Sequence, residues 1–149
     1  MTSISGCVFC RIIAGEVEAA KVYEDENTIV FLDRSPLFHG HCLVCPKVHY
    51  DTLPDVPASH LLPLMNVAQL ICRAVEKGIG AEGSFVAVNN KISQSVPHLH
   101  VHVIPRTKGD GMKGFFWPRH PYPDNGAMLD IQAKLYAAVT YLRQDDGGK

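Results

Sequence analysis

The chain has 149 residues, of which 46% are hydrophobic and 19% charged, the size and balance of a single globular domain with a real core. A formal net charge of −1 leaves no basic footprint for duplex nucleic acid or an anionic membrane, so any phosphate is held locally. The first residues, Met1 to Cys7, carry no basic region or long apolar run, and no stretch approaches the roughly 18 apolar residues of a membrane span; a cytoplasmic protein is expected.

In chain order, Cys7 to Gly15 reads as a short helical turn stopped by glycine, with Phe9, Ile12 and Ile13 facing inward. In a reducing compartment the pair Cys7/Cys10 reads as metal ligands or reactive thiols before a disulfide. Lys21 to Glu24 and Thr28 to Asp33 form a predicted hairpin around Asp25-Glu26-Asn27. Gly40 to Lys47 is a third strand. Its Cys42 and Cys45, three apart, face opposite sides and read as buried apolar residues and not as a chelating pair. Asp51 to Pro57 is a loop. From Ala58 the period changes: Leu61, Leu64/Met65, Ala68, Ile71, Val75 and Ile79 predict an amphipathic helix of about five turns ending at Gly78 or Gly80; Pro63 lies near its first turns, where proline is tolerated best, with a later start as the alternative.

Ser84 to Asn89 is a fourth strand, and Asn90 to Pro97 connects it to a fifth, His98 to Ile104, which runs into Pro105-Arg106. That connection places Gln94 and Ser95 beside the fifth strand's histidines. A Gly-rich basic loop follows, Thr107 to Gly114, then the aromatic cluster Phe115-Phe116-Trp117, then a final amphipathic helix with Met128, Ile131, Leu135, Ala138 and Leu142 on one stripe. The expected organisation is one domain over 1–149: a core of about 7–106, a C-terminal loop and helix over 107–144, and a frayed tail over 145–149.

On a strand, His98, His100 and His102 share one face while Leu99, Val101 and Val103 share the other. At about 3.3 Å per residue the Cα atoms of His98 and His102 lie roughly 13 Å apart, too far for both rings to reach one zinc at about 2.0 Å. The row therefore splits into separate jobs. A structural zinc wants four ligands, often two Cys and two His; His49 and His98 are the candidates that join Cys7 and Cys10 while leaving His100 and His102 free. A neutral His100, one ring nitrogen fixed by a hydrogen bond, can attack with the other. His102 can donate to phosphoryl oxygens or a leaving group, and Gln94 and Ser95 can bond the developing charge, a set better suited to phosphoryl or nucleotidyl transfer than to acyl transfer.

His98-Leu99-His100-Val101-His102-Val103-Ile104, with Gln94-Ser95-Val96 before it, resembles the signature of the histidine-triad (HIT) superfamily. Cys7 to Ile13, Tyr23-Glu24-Asp25, Phe31-Leu32-Asp33, Gly40-His41, and Leu43-Val44 through Pro46-Lys47-Val48-His49 are similar to that family in the same order, so the likeness covers roughly 7–106. It resembles in particular the zinc-bearing branch of nucleoside phosphoramidases and dinucleoside polyphosphate hydrolases. The resemblance implies an α+β fold with two main helices and a five-stranded antiparallel sheet that pairs into ten strands in a homodimer. It implies a hydrolase or transferase that attacks the α-phosphate of a purine nucleoside monophosphate ester, amide or anhydride through a nucleotidyl-histidine intermediate. His100 is then the nucleophile and His102 the phosphate contact. Asp33 binds the ribose hydroxyls, and Val8, Phe9, Ile12 and Phe31 line the base pocket. Asn89, with Asn90 as its alternative, joins Gln94 and Ser95 as phosphate-side contacts, and Cys7, Cys10, His49 and His98 bind one structural Zn2+ per chain. Arg34 departs from the small apolar residue usual there, and the family's tail, here Lys108 to Trp117, often reaches the neighbouring subunit's site.

Two rival readings lead elsewhere: a nucleotide-binding regulator with little or no turnover, which needs only the pocket, Asp33 and the phosphate donors, and a small zinc protein whose histidines all serve metal.

Overall fold

The computed structural model describes residues 6–112 and 118–146; the expected aromatic cluster Phe115-Phe116-Trp117 lies outside the described residues. The chain divides into two compact units, Met1–Asp110 and Gly111–Lys149.

The first unit is built on an antiparallel five-stranded sheet: β1 (Lys21–Glu24), β2 (Thr28–Leu32), β3 (Cys42–Pro46), β4 (Gly83–Ala87) and β5 (Val101–Arg106), in the order β1-β2-β3-β5-β4. Asp25 makes the first hairpin by accepting from the Asn27 and Thr28 amides, the local bond that suits Asp to turns. Strand alternation then divides the apolar residues between two cores. Val30, Cys42, Val44, Val101 and Val103, with Leu99, pack on one face against helix α2 (Ala58–Ile79), which contributes Leu64, Val67, Ala68, Ile71 and Val75. Ile29, Phe31, Leu43 and Cys45 face the other way, onto helix α1 (Val8–Ile13) through Phe9, Ile12 and Ile13. Cys42 and Cys45 accordingly lie buried in different cores.

Helix α2 runs 22 residues and begins at Ala58, so Pro63 does not delay its start. It ends where expected: Gly80 adopts φ 71° and closes a paired cap, its amide donating to the Glu76 carbonyl while the Ala81 amide reaches Val75. The Asp51–Pro57 loop contains a 3₁₀ turn, Leu53–Asp55, capped reciprocally by Thr52 and Asp55.

The fifth strand is shorter than the sequence suggests. β5 begins at Val101 because the β3 ladder stops pairing with it at Val44, and Pro46 beyond has no N–H to continue the ladder. His98, Leu99 and His100 instead follow a bend in which the His98 amide donates to the Val96 carbonyl and the Leu99 amide to the Tyr50 carbonyl. The inward-outward alternation survives the bend: Leu99 joins the α2 core, whereas His98 and His100 turn to the α1 side.

In the second unit, helix α3 spans Asn125–Asp146, with Asp124 accepting from the Ala127 amide at its start. No helix among the described residues is long and apolar enough to cross a membrane.

Candidate active site and metal centre

Helix α1 is capped by Cys7, whose sulfur accepts from the Cys10 amide at 3.5 Å, so the C-x-x-C spacing sets both thiols on one side of one turn. Two imidazoles meet them. His49 Nδ1 is 3.3 Å from Cys10 Sγ, and His98 Nδ1 is 3.5 Å from both Cys7 Sγ and Cys10 Sγ. The four donor atoms lie within 4.8 Å of one another. Around a tetrahedral zinc with Zn–S of about 2.3 Å and Zn–N of about 2.0 Å, a sulfur–nitrogen edge is about 3.5 Å, so the cluster has the dimensions of such a site. The far ring nitrogens are also committed: His98 Nε2 donates to the Pro46 carbonyl at 2.8 Å and His49 Nε2 to Asp51 Oδ1 at 2.7 Å, which leaves each Nδ1 as the metal-facing lone pair. Burial pulls the His98 pKa from 6.5 to about 4, keeping it in the neutral form a cation needs. The residues present fit a structural Zn2+.

His100 stands next to this cluster but lines a different site. Its Nδ1 is 2.7 Å from the His98 carbonyl, which can only accept, so the neutral ring carries its hydrogen on Nδ1 and leaves Nε2 bare. Phe9 touches it edge-on with centroids 5.1 Å apart, and only 5% of its surface is exposed. That exposed fraction lines a cleft of about 800 Å³. The cleft's apolar wall is Val8, Phe9, Ile12, Phe31 and Leu43; its polar lining includes Asp33, Arg34, Ser95, His100 and His102. The volume lies within the range of small-molecule sites.

Asp33 follows β2 and accepts from the Ser35 amide through Oδ1. His102, on β5, lies 4.8 Å from His100 between ring centroids and pairs with His41, Nε2 of which is 2.9 Å from His102 Nδ1. Burial, with the neighbouring His100 and His41, lowers His102 from 6.5 to about 4, so it stays neutral.

Two of the residues expected on the phosphate side lie elsewhere. The Gln94 amide donates to the Asp51 carbonyl at 2.5 Å and accepts from the Lys91 amide at 2.8 Å, and neither Gln94 nor Asn89 lines the cleft. The Asn90 amide oxygen is taken by the Leu53 N–H. Lys91 and Ser93, both at positive φ, make the tight loop that carries Gln94 in this direction. His41 is the residue to which sequence reasoning assigned no role. Its signal was its place after Gly40, just before a strand; in the fold it lies beside Asp33, whose amide donates to the His41 carbonyl where β2 and β3 meet their flanking loops.

The HIT domain family matches residues 14–109. The chain is 42% identical over 129 residues to adenylylsulfatase HINT3 of Arabidopsis thaliana, a match covering 85% of this chain and 64% of that protein, so the chain spans less than two thirds of that relative. It is 36% identical over 120 residues to adenosine 5′-monophosphoramidase hnt1 of Schizosaccharomyces pombe, covering 77% and 85% of the two chains. Among solved structures, a HIT family member from Bacillus subtilis superposes with a TM-score of 0.80 at 34% identity, covering 89% of this chain and 96% of that one. A Zn-bound histidine triad family protein from Mycobacterium smegmatis gives 0.69 at 37% identity, with coverage of 89% and 96%. A signature, a fold and a pair of histidine-lined sites thus agree with the sequence comparisons, and the chain belongs to the HIT domain family.

Proposed function

We propose that this protein is a nucleotide hydrolase or transferase that attacks the α-phosphorus of a purine nucleoside monophosphate derivative with His100. The observation that carries the reading is the His100 Nδ1 contact with the His98 carbonyl, which aims a bare Nε2 at the cleft shared with His102, Ser95 and Asp33. Names borne by relatives, an adenylylsulfatase and an adenosine monophosphoramidase, support a mononucleotidyl substrate with sulfate or an amine as leaving group. Diadenosine polyphosphates belong to the same reaction class.

In the first step, Nε2 of His100 forms a bond to phosphorus while the bond from phosphorus to the leaving group breaks. In the second, water attacks phosphorus, the P–N bond breaks and the nucleoside monophosphate departs. Ser95 and His102 donate hydrogen bonds to the charge that builds on the phosphoryl oxygens. Asp33 accepts from the ribose diol, and the Phe9/Phe31 pair, 5.1 Å apart and edge-to-face, gives the base an apolar wall. Cys7, Cys10, His49 and His98 would hold Zn2+ as a structural ion: a set of four protein ligands would leave no place for a catalytic water and would tie down α1, the cleft's wall. Pairing of two copies into a ten-stranded sheet is part of the same reading. The edge strand β4, with Val86 41% exposed, suits it better than β1, whose Glu24 carries Lys21 and Lys47.

The test is turnover of adenosine 5′-phosphoramidate, adenylyl sulfate and diadenosine polyphosphates by wild type and His100→Asn. At least one should be cleaved, and the substitution should lower its kcat by about 10³-fold or more. Wild-type turnover by His100→Asn would refute the assignment; tight nucleotide binding with no turnover of any substrate would give the regulator reading instead.

A further inference from the structure

Gly40 sits at φ +96°, a backbone conformation that side-chain-bearing residues rarely adopt, so this turn is held to glycine by its conformation; a Cβ there would also displace the Ile79 Cδ1 methyl and approach Pro105 Cγ to 3.2 Å. It delivers His41 to a fixed place. The His41 amide donates to the Phe38 carbonyl at 3.0 Å, its carbonyl accepts from the Asp33 amide at 2.9 Å, and the residue is only 3% exposed.

The ring of His41 has two neighbours that determine where its hydrogen lies. The Leu37 amide donates to Nδ1 at 3.2 Å. A backbone N–H can only donate, so Nδ1 is bare and the neutral ring bears its hydrogen on Nε2. That Nε2–H faces His102 Nδ1 at 2.9 Å, while Asp33 Oδ2, at 3.7 Å, is beyond hydrogen-bond reach. His102 Nδ1 must then accept, which places the His102 hydrogen on Nε2. One main-chain amide thereby sets the tautomer of two imidazoles in sequence, the second of them at the cleft.

The same geometry argues against another use of these residues. Donor atoms of Asp33, His41 and His102 lie within 4.8 Å of one another, close enough to suggest a second cation site. To ligate through Nε2, His41 would have to carry its hydrogen on Nδ1, where it would face the Leu37 N–H. The arrangement favours a hydrogen-bond chain.

We propose that His41 is a positioning residue that locks ring orientation and tautomer of His102, so that His102 meets the phosphoryl group as an Nε2–H donor. The proposal rests on the nucleotidyl-transfer reading of the cleft. Without His41, the His102 ring is free to turn and to carry its hydrogen on either nitrogen, and part of its population offers the phosphate a lone pair in place of a donor.

The decisive spectrum needs no variant. In ¹⁵N-labelled wild type, with His102 assigned by the signals missing from His102→Asn, the shifts should show Nδ1 unprotonated and Nε2 protonated, and likewise for His41. Protonated Nδ1 on His102 overturns the proposal whatever the kinetics. With adenosine 5′-phosphoramidate as substrate, His41→Leu should lower kcat by about 10- to 100-fold with a smaller change in KM, the cost of a misaligned catalytic group. His41→Gln, whose side-chain N–H₂ can reach the same Nδ1, should recover most of the loss. A wild-type rate in His41→Leu, or a Gln variant no better than Leu, overturns the proposal, and if His100→Asn is inactive in the same assay the reading of the cleft itself still stands.

Discussion

His98, His100 and His102 occupy alternate positions in one short segment, yet each ring has a different fixed partner: the Pro46 carbonyl for His98, the His98 carbonyl for His100, and the His41 ring for His102. The alternation was legible from sequence because it follows from strand geometry. The partners were not, since a carbonyl acceptor leaves no mark on residue type. Gln94 shows the same limit: adjacency to Ser95 suggested a phosphate contact, but the side chain is drawn to Asp51 and Lys91 by a loop with two positive φ angles. Burial also gives the imidazoles a measurable effect on stability. Burial lowers His41, and His102 falls from 6.5 to about 4, whereas in the unfolded chain both titrate near the ordinary value. Between pH 6.5 and 4 the unfolded chain therefore binds protons that the fold refuses, so stability is full above that window and declines as the pH falls through it. Urea midpoints measured across the window should fall more steeply for wild type than for His102→Asn; parallel slopes would show that His102 is not held neutral by the fold.

Helices and strands were legible to different degrees. The α2 stripe is a period that only a helix satisfies, and Gly80 marks its end, so both came through from sequence, though Met65 and Ile79, expected on the buried stripe, are 47% and 58% exposed and Val67 takes a buried place. The start of β5 was misplaced because the determinant is Pro46 on the neighbouring strand, a long-range effect. Helix α1 is the informative case. Six residues cannot hold a helix alone. Its anchors are Phe9 in the core and the two thiols at the Cys/His cluster. Removing zinc with a chelator should withdraw several kcal/mol of folding free energy and lower Tm by roughly 10 °C for a chain of this size. Assayed well below the new Tm, kcat should stay within about threefold, since no ligand position is open to substrate. Loss of turnover in step with metal while Tm stays unchanged would make the metal catalytic instead.

At the scale of the whole molecule, the sheet separates two tasks. One face, with α2, holds the larger core; the other, with α1, holds the cluster and the cleft, so His102 on β5 and His100 just before it are backed by Leu99, Val101 and Val103. The five-stranded α+β fold was accessible to sequence through periodicity, and the Cys7, Cys10, His49, His98 cluster through its metal-ligating residue types; the His41 link was not, because a ring-to-ring hydrogen bond follows no residue pattern. The central claim is that His100 attacks phosphorus directly, which makes the reaction two successive displacements. The stereochemical course at a chiral α-phosphorothioate of the cleaved substrate, hydrolysed in ¹⁸O-labelled water so that the product phosphorus is stereogenic, reads this without any need for the intermediate to accumulate. Two in-line displacements predict retention of configuration; inversion would mean that water attacks in a single step, and that His100 is not the nucleophile.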